Sequence, residues 1–146
     1  MDAREMAIRA HGTQLYGNEP YSVHLDEVAA LCEPFGETAV MVAYLHDCLE
    51  DTQLSAAEIR SAFGELVERC CVLLTDAPGA NRKARKAATY EILSRVSAES
   101  PEALALVVKA ADRLANVRRC SAGNPGLAAM YRKEHPASWP PYCAPA

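Results

Sequence analysis

Apolar residues recur at helical spacing along most of this 146-residue chain, and short breaks containing Gly or Pro divide the pattern. The breaks lie at residues 17–20, 34–36, 76–79 and 123–126. No segment alternates apolar and polar residues convincingly over the length of a strand. The pattern therefore predicts an all-α fold, a bundle of helices joined by short turns.

Local start signals help to place the individual helices. Ser55 and Glu58 have the spacing of a capping box, and Asn81 can cap a later helix. Pro101 suits the first turn of another helix. The predicted helices cover residues 2–16, 21–32, 37–46, 55–63, 65–74, 81–96 and 101–119, with a short one that ends near 135.

The length and composition indicate one domain. Half of the residues are apolar, which is enough to form a core without disulfides or a structural metal. We assign residues 1–135 to this domain and residues 136–146, which contain four prolines, to an extended tail. No internal repeat or second domain is evident.

Charge and hydropathy exclude several classes of partner. The formal charge of −4 argues against a general nucleic-acid-binding protein. No apolar run approaches the roughly 18 residues of a membrane span, and no secretory leader is evident at the N-terminus. The expected location is cytoplasmic. The expected partner is a small molecule, and the oligomeric state is left open, including a homodimer.

The six cysteines do not form a disulfide or zinc pattern. Cys70 and Cys71 are adjacent, and the chain contains no Cys-x-x-Cys pair. Cys32 and Cys48 lie in apolar stretches, where a free cysteine behaves as a small apolar residue. We therefore expect reduced cysteines with a structural role.

Several polar residues occur where an apolar residue would be less costly. His46 and Asp47 end the apolar run 39–45, and Asp112 lies in an apolar stripe at helical spacing. His24 follows the break at the start of the second helix. An unpaired buried carboxylate costs several kcal/mol, so these groups need partners. Two imidazoles and two carboxylates around one divalent ion would satisfy all four.

Glu50 and Asp51 follow one turn after His46 and Asp47. At that spacing they share a helix face with the candidate ligands and can serve an attacking water or a leaving oxygen. Each feature has a plainer explanation when taken alone. His46 could be a satisfied core histidine, and Glu50 and Asp51 could simply end a helix. His11 and His135 lack such a context, and we expect them to be surface or structural residues.

Taken together, four stretches make the chain resemble the HD-domain phosphohydrolases, specifically the hydrolase domain of the Rel/SpoT alarmone enzymes and the small alarmone hydrolases. The second stretch matches an H-D-x-x-E-D motif and the last is similar to K-x-A-D-R-x-x-N-x-R. The matching stretches are residues 10–24, 45–52, 63–64 and 108–118.

The resemblance implies an HD-domain bundle that hydrolyses the 3′-pyrophosphate of guanosine tetra- or pentaphosphate, usually with Mn²⁺. By position it implies that the metal ligands are His24, His46, Asp47 and Asp112. It also implies that Glu50 and Asp51 handle the water. Asn116 matches a residue that contacts the nucleoside, and Tyr21 could line the pocket.

A cluster of cations adds to the resemblance. Residues 82–86 contain four cations in an otherwise acidic chain, at a position similar to the family's phosphate-binding segment. Arg82 and Lys86 share a helix face and are the expected phosphate contacts. A solvated helix face explains the same pattern.

One departure leaves the substrate open. Where the family commonly has Arg-Lys, this chain has Leu15-Tyr16, and Tyr16 could stack on a base instead. An adenine alarmone, or another nucleotide with a 3′-phosphate such as NADPH, is therefore an alternative substrate. A nucleotide-binding module without catalysis is a further alternative, although Glu50 and Asp51 are both present.

Overall fold

The computed structural model describes residues 1–121, and within them the fold is helical, as the sequence predicts. No helix of the described part is long and apolar enough to cross a bilayer. Short 3₁₀ turns lie at Glu33–Phe35 and Pro101–Ala103. The helices are α1 Ala3–His11, α2 Tyr21–Cys32, α3 Glu37–Leu45, α4 Cys48–Asp51, α5 Ala56–Phe63, α6 Glu65–Leu74, α7 Arg82–Ser94 and α8 Leu104–Ser121.

The residues before the helices explain several of these starts. The Ser55 side chain accepts a hydrogen bond from the Glu58 N–H, and the Glu58 carboxylate accepts one from the Ser55 N–H. This confirms the predicted capping box. The Asn81 side chain caps α7 through the Ala84 N–H. Gly64, at φ 97°, ends α5 and precedes α6 in a conformation that favours glycine.

The prediction of a helix over residues 2–16 without any strand is wrong beyond His11. Gly12, with a positive φ, ends α1. The chain then forms a two-stranded antiparallel hairpin, β1 Leu15–Tyr16 and β2 Glu19–Pro20. Each strand has only two residues, too few for any alternation of apolar and polar side chains to appear in the sequence.

The predicted third helix also ends earlier than expected. Helix α3 stops at Leu45, and His46 and Asp47 lie in the turn before the four-residue helix α4. The backbone stays close to helical there, because the Asp51 N–H still bonds to the Asp47 carbonyl. Both side chains are thus presented at a helix end.

The chain divides into two compact units, Met1–Ala111 and a second that begins at Asp112. In the first, α2 packs on α3 and α1, α5 packs on α6, and α3 contacts α6. Leu25, Val42 and Leu45 are fully buried there. Cys32, Cys48, Cys70 and Cys71 are buried free thiols, and burial is the main reason why the pKa of Cys48 rises to about 12.

In the second unit the structure describes the part of α8 from Asp112 to Ser121, where Ala115 and Val117 are buried. The predicted short helix ending near residue 135, and the tail 136–146, lie outside the described residues. The assignment of residues 1–135 to one domain stays a prediction.

Candidate metal centre

Three of the predicted metal ligands meet in the first unit. His24 lies in the first turn of α2, and His46 and Asp47 follow the C-terminal end of α3. His24 and His46 are 1% and 3% exposed, whereas Asp47 is half-buried. Each offers one ligand atom within 4.8 Å of the others. The packing of α2 on α3 brings these side chains together.

The tautomer of His46 follows from its backbone contact. Its Nδ1 lies 2.6 Å from the Ala43 carbonyl oxygen, which can only accept a hydrogen bond. Nδ1 therefore carries the proton, and in the neutral ring Nε2 presents a lone pair. That Nε2 lies 3.1 Å from Asp47 Oδ2, a second electron-rich atom. Two such atoms at this distance need a proton or a cation between them, so the donor set fits a metal ion.

Tyr21 holds the Asp47 carboxylate. Its hydroxyl donates a hydrogen bond to Asp47 Oδ2, the oxygen that faces His46. The Tyr21 ring stacks on His11, with the ring centroids 4.4 Å apart. Tyr21, which the resemblance places in position to line the pocket, thus uses its hydroxyl to contact a candidate metal ligand.

Tyr16 lies beside the other imidazole. Its ring stacks on His24 with a centroid distance of 4.4 Å and an interplanar angle of 22°. The hairpin β1–β2 presents Tyr16 in this position, directly before α2 begins. One face of the ring therefore covers His24, and base stacking, as predicted for Tyr16, would use the other face.

The two carboxylates of α4 are held by different neighbours. Glu50 accepts a hydrogen bond from the Asp76 N–H at 2.8 Å, and Asp51 accepts one from the Gln14 side chain at 3.3 Å. Although both residues are exposed as a whole, desolvation of the Glu50 carboxyl group raises its pKa above the ordinary value of 4.5. The hydrogen bond from Asp76 partly opposes this shift.

His11 belongs to the group of hydrogen-bonded residues that holds Asp51, and the sequence did not reveal this connection. It is buried, its Nδ1 bonds to Gln14 Oε1 at 2.8 Å, and its Nε2 lies 3.7 Å from the Cys48 sulfur. This contact orients the Gln14 amide so that its NH₂ group can donate to Asp51. His11 thus has a structural role, one of the two roles that we expected for it. The sequence feature that could have indicated this role is its position three residues before Gln14.

The remaining predicted site residues lie in two places. Arg82 is exposed at the first position of α7, whereas the Lys86 ammonium pairs with the Asp76 carboxylate at 2.8 Å. In the second unit, Asp112 and Asn116 are half-buried neighbours on α8, and the Asn116 amide donates to Asp112 Oδ1 at 3.4 Å. Asn116 thus orients the Asp112 carboxylate.

Tyr21→Phe should weaken divalent metal binding by roughly 10- to 100-fold, because it removes the hydrogen bond that orients Asp47 but keeps the ring stacked on His11. Calorimetric titration with Mn²⁺ measures this. Tyr44→Phe is the matched control, since Tyr44 donates to Asp26, which is not a candidate ligand. Equal Mn²⁺ affinity in both variants would contradict a role for Tyr21 in metal binding.

The helical fold and the His/Asp group define the class of protein. The HD domain family profile matches residues 3–141, so the chain belongs to the HD domain family. This confirms the family predicted from the four sequence stretches.

Among its relatives, a guanosine-3′,5′-bis(diphosphate) 3′-pyrophosphohydrolase of Aquifex aeolicus is 35% identical over 80% of this chain and 17% of its own length. The GTP pyrophosphokinase rsh of Brucella ovis is 34% identical over 77% of this chain and 16% of its own length. A probable guanosine-3′,5′-bis(diphosphate) 3′-pyrophosphohydrolase of Synechocystis is 34% identical over 73% of this chain and 14% of its own length. The chain thus spans about a sixth of the length of the relatives that it matches.

Proposed function

We propose that this chain is a metal-dependent hydrolase that removes the 3′-pyrophosphate from alarmone nucleotides, with Mn²⁺ bound by His24, His46, Asp47 and Asp112. The observation that carries the proposal is the cluster of His24, His46 and Asp47, in which His46 Nε2 and Asp47 Oδ2 face each other at 3.1 Å. A mixed set of nitrogen and oxygen ligands suits Mn²⁺, Fe²⁺ or Zn²⁺, and Mn²⁺ is the ion that the family resemblance implies. The relatives named as pyrophosphohydrolases support a hydrolase.

Asp112 is proposed as the fourth ligand on two grounds. It occupies the aspartate position of the stretch that resembles K-x-A-D-R-x-x-N-x-R. On α8 it is half-buried and lies one turn before Ala115, which is buried. The hydrogen bond from Asn116 would limit its rotation.

The four proposed ligands would hold a divalent ion, which would supply an activated water and a positive charge to stabilise the phosphoryl group. Glu50 and Asp51 are proposed to orient that water, to accept its proton or to protonate the leaving oxygen. The raised pKa of Glu50 suits a proton carrier, because its carboxylate takes up a proton more readily than an ordinary Glu side chain does. Gln14 and the Asp76 N–H hold the two carboxylates in place.

The substrate class is proposed from five further residues, Tyr16, Tyr21, Arg82, Lys86 and Asn116. Arg82, exposed at the start of α7, would contact phosphate groups, as would Lys86 in the interpretation drawn from the sequence. Asn116 is proposed to contact the nucleoside and Tyr21 to line the pocket, and Tyr16, whose ring stacks on His24, is proposed to stack on the base. Because an aromatic ring stacks on any base, Tyr16 supports an adenine alarmone as well as a guanine one.

The experiment that tests the proposed substrate class compares guanosine and adenosine 3′,5′-bis(diphosphates) with NADPH in one Mn²⁺-loaded preparation. We expect release of pyrophosphate from at least one of the bis(diphosphates), with kcat/KM well above that for phosphate release from NADPH. Turnover of NADPH alone would replace the alarmone proposal with the alternative nucleotide, and no turnover of any of the three would favour a binding module without catalysis.

A further inference from the structure

The segment between α6 and α7 contacts the candidate site through the backbone N–H of Asp76. The Asp76 N–H donates to Glu50 Oε1 at 2.8 Å, although the two residues are far apart in the chain. This contact is a hydrogen bond between a neutral donor and a carboxylate, which fixes the position of Glu50 more firmly than a contact between neutral groups would. Its strength depends on how rigidly the backbone at Asp76 is held.

Two side chains of α7 hold that backbone in place. The Lys86 ammonium lies 2.8 Å and 3.1 Å from the two oxygens of the Asp76 carboxylate. Thr89 Oγ1 accepts a hydrogen bond from the Ala77 N–H at 2.9 Å and lies 3.3 Å from Asp76 Oδ1. The side chains of Asp76 and Lys86 are only 11% and 20% exposed, and Thr89 is 1% exposed.

The burial of this ion pair distinguishes it from the surface pairs of the molecule. The Arg95–Glu91 pair, for example, has side chains that are 75% and 67% exposed. A pair in that setting contributes little, whereas a largely desolvated pair keeps its geometry because breaking it leaves a charge uncompensated. The Lys86 ammonium is therefore held by the Asp76 carboxylate, whereas a lysine that binds phosphate at a protein surface is free to reach the substrate.

We infer that Lys86 and Thr89 are positioning residues for Glu50, acting through Asp76, and that Lys86 is not primarily a phosphate contact. The inference rests on the proposed function in one respect, since it takes Glu50 as the carboxylate that acts on the water. The two roles of Lys86 predict different kinetics. Loss of a phosphate contact raises KM, whereas loss of positioning lowers kcat.

The first test compares Lys86→Met with Arg95→Met, a matched control that breaks the exposed ion pair with Glu91 at the end of the same helix. We expect Lys86→Met to lower kcat roughly 10- to 100-fold while KM changes less than about twofold, the usual size of the effect when a supporting partner is lost. Arg95→Met should leave both values unchanged. A raised KM at an unchanged kcat for Lys86→Met would overturn the inference and return Lys86 to phosphate binding.

The second test uses the hydroxyl of Thr89. Thr89→Val has the same shape but no hydrogen-bonding group, whereas Thr89→Ser keeps the hydroxyl. We expect Thr89→Val to lower kcat and Thr89→Ser to stay within about threefold of the original chain, since only the former loses the contact with the Ala77 N–H. Equal activity of the two variants would exclude Thr89 from the positioning of Glu50.

Hydrogen exchange gives a readout that does not depend on any substrate. The Asp76 N–H donates to Glu50, so its exchange should be at least about tenfold faster in Lys86→Met, and unchanged in Arg95→Met. If the original chain hydrolyses no nucleotide, the proposed function fails, and this exchange result still decides the positioning role. Unchanged protection of the Asp76 amide in Lys86→Met would overturn that role.

Discussion

Asp47→Asn should abolish Mn²⁺ binding and hydrolysis together. Asparagine has the shape of aspartate and can still accept the hydrogen bond from Tyr21, but it has no charge to balance a divalent ion beside His46. Without the ion, the water would keep the high pKa of bulk water, because a bound divalent ion is what would lower it. We expect kcat to fall by at least about 10³-fold, which corresponds to roughly 4 kcal/mol.

The matched control is Asp26→Asn, the same chemical change at an aspartate of α2 that pairs with Arg4 and Tyr44. It should keep both Mn²⁺ affinity and activity. Asp112→Asn, at the proposed fourth ligand, should lose both, as Asp47→Asn does. If Asp47→Asn still binds Mn²⁺ and turns over substrate, the cluster of His24, His46 and Asp47 is not the metal centre.

Glu50→Gln is expected to give the second largest loss of activity, but it should make the folded protein more stable. General acid–base residues typically contribute about 10²- to 10⁴-fold to the rate, so kcat should fall by that order while KM changes little. Glutamine Oε1 can still accept the hydrogen bond from the Asp76 N–H. The fall in kcat would therefore result from the missing carboxylate and not from a displacement of the segment between α6 and α7.

The stability effect follows from the direction of the pKa shift. Because burial raises the pKa of Glu50 above 4.5, the folded protein binds more protons than the unfolded chain in the window just above that value. The free energy of unfolding therefore falls as the pH rises through this window. A neutral glutamine is free of this loss, so metal-free Glu50→Gln should melt at a higher temperature than the original chain at pH 7. The difference should disappear below pH 4.5.

Glu58→Gln is the matched control with the opposite sign. Hydrogen bonds from Ser55 hold the pKa of the Glu58 carboxyl group below its ordinary value, so this carboxylate stabilises the folded state above pH 4.5. Its replacement should lower the melting temperature slightly at pH 7 and leave kcat unchanged. If Glu50→Gln keeps full activity, Glu50 has no part in catalysis, whatever its effect on stability.

The helices and their starts could be predicted because their signals are local. The capping box of Ser55 and Glu58, the cap at Asn81 and the break at Gly64 each lie within a few residues of the helix that they begin or end. The hairpin at Leu15–Pro20 could not be predicted in the same way. Its strands are too short to alternate, and its place is set by tertiary contacts such as the stacking of Tyr16 on His24.

The candidate site residues could be proposed from the sequence, but the groups that hold them in place could not. His46, Asp47, Glu50 and Asp51 form a compact motif in an unusual apolar setting. The group that holds Glu50 is a backbone N–H at Asp76, and every residue except proline has such a group, so no residue type marks it. The burial of His11 against α4 likewise depends on packing between distant segments.

Phosphorus NMR of the products formed from guanosine-3′,5′-bis(diphosphate) tests whether this chain removes pyrophosphate with the help of a metal ion. We expect one pyrophosphate for each nucleoside diphosphate, activity that is lost on removal of divalent metal and restored by Mn²⁺, and no activity in Asp47→Asn. Release of orthophosphate in place of pyrophosphate, or pyrophosphate release that persists without metal, would contradict the proposed metal-dependent hydrolysis.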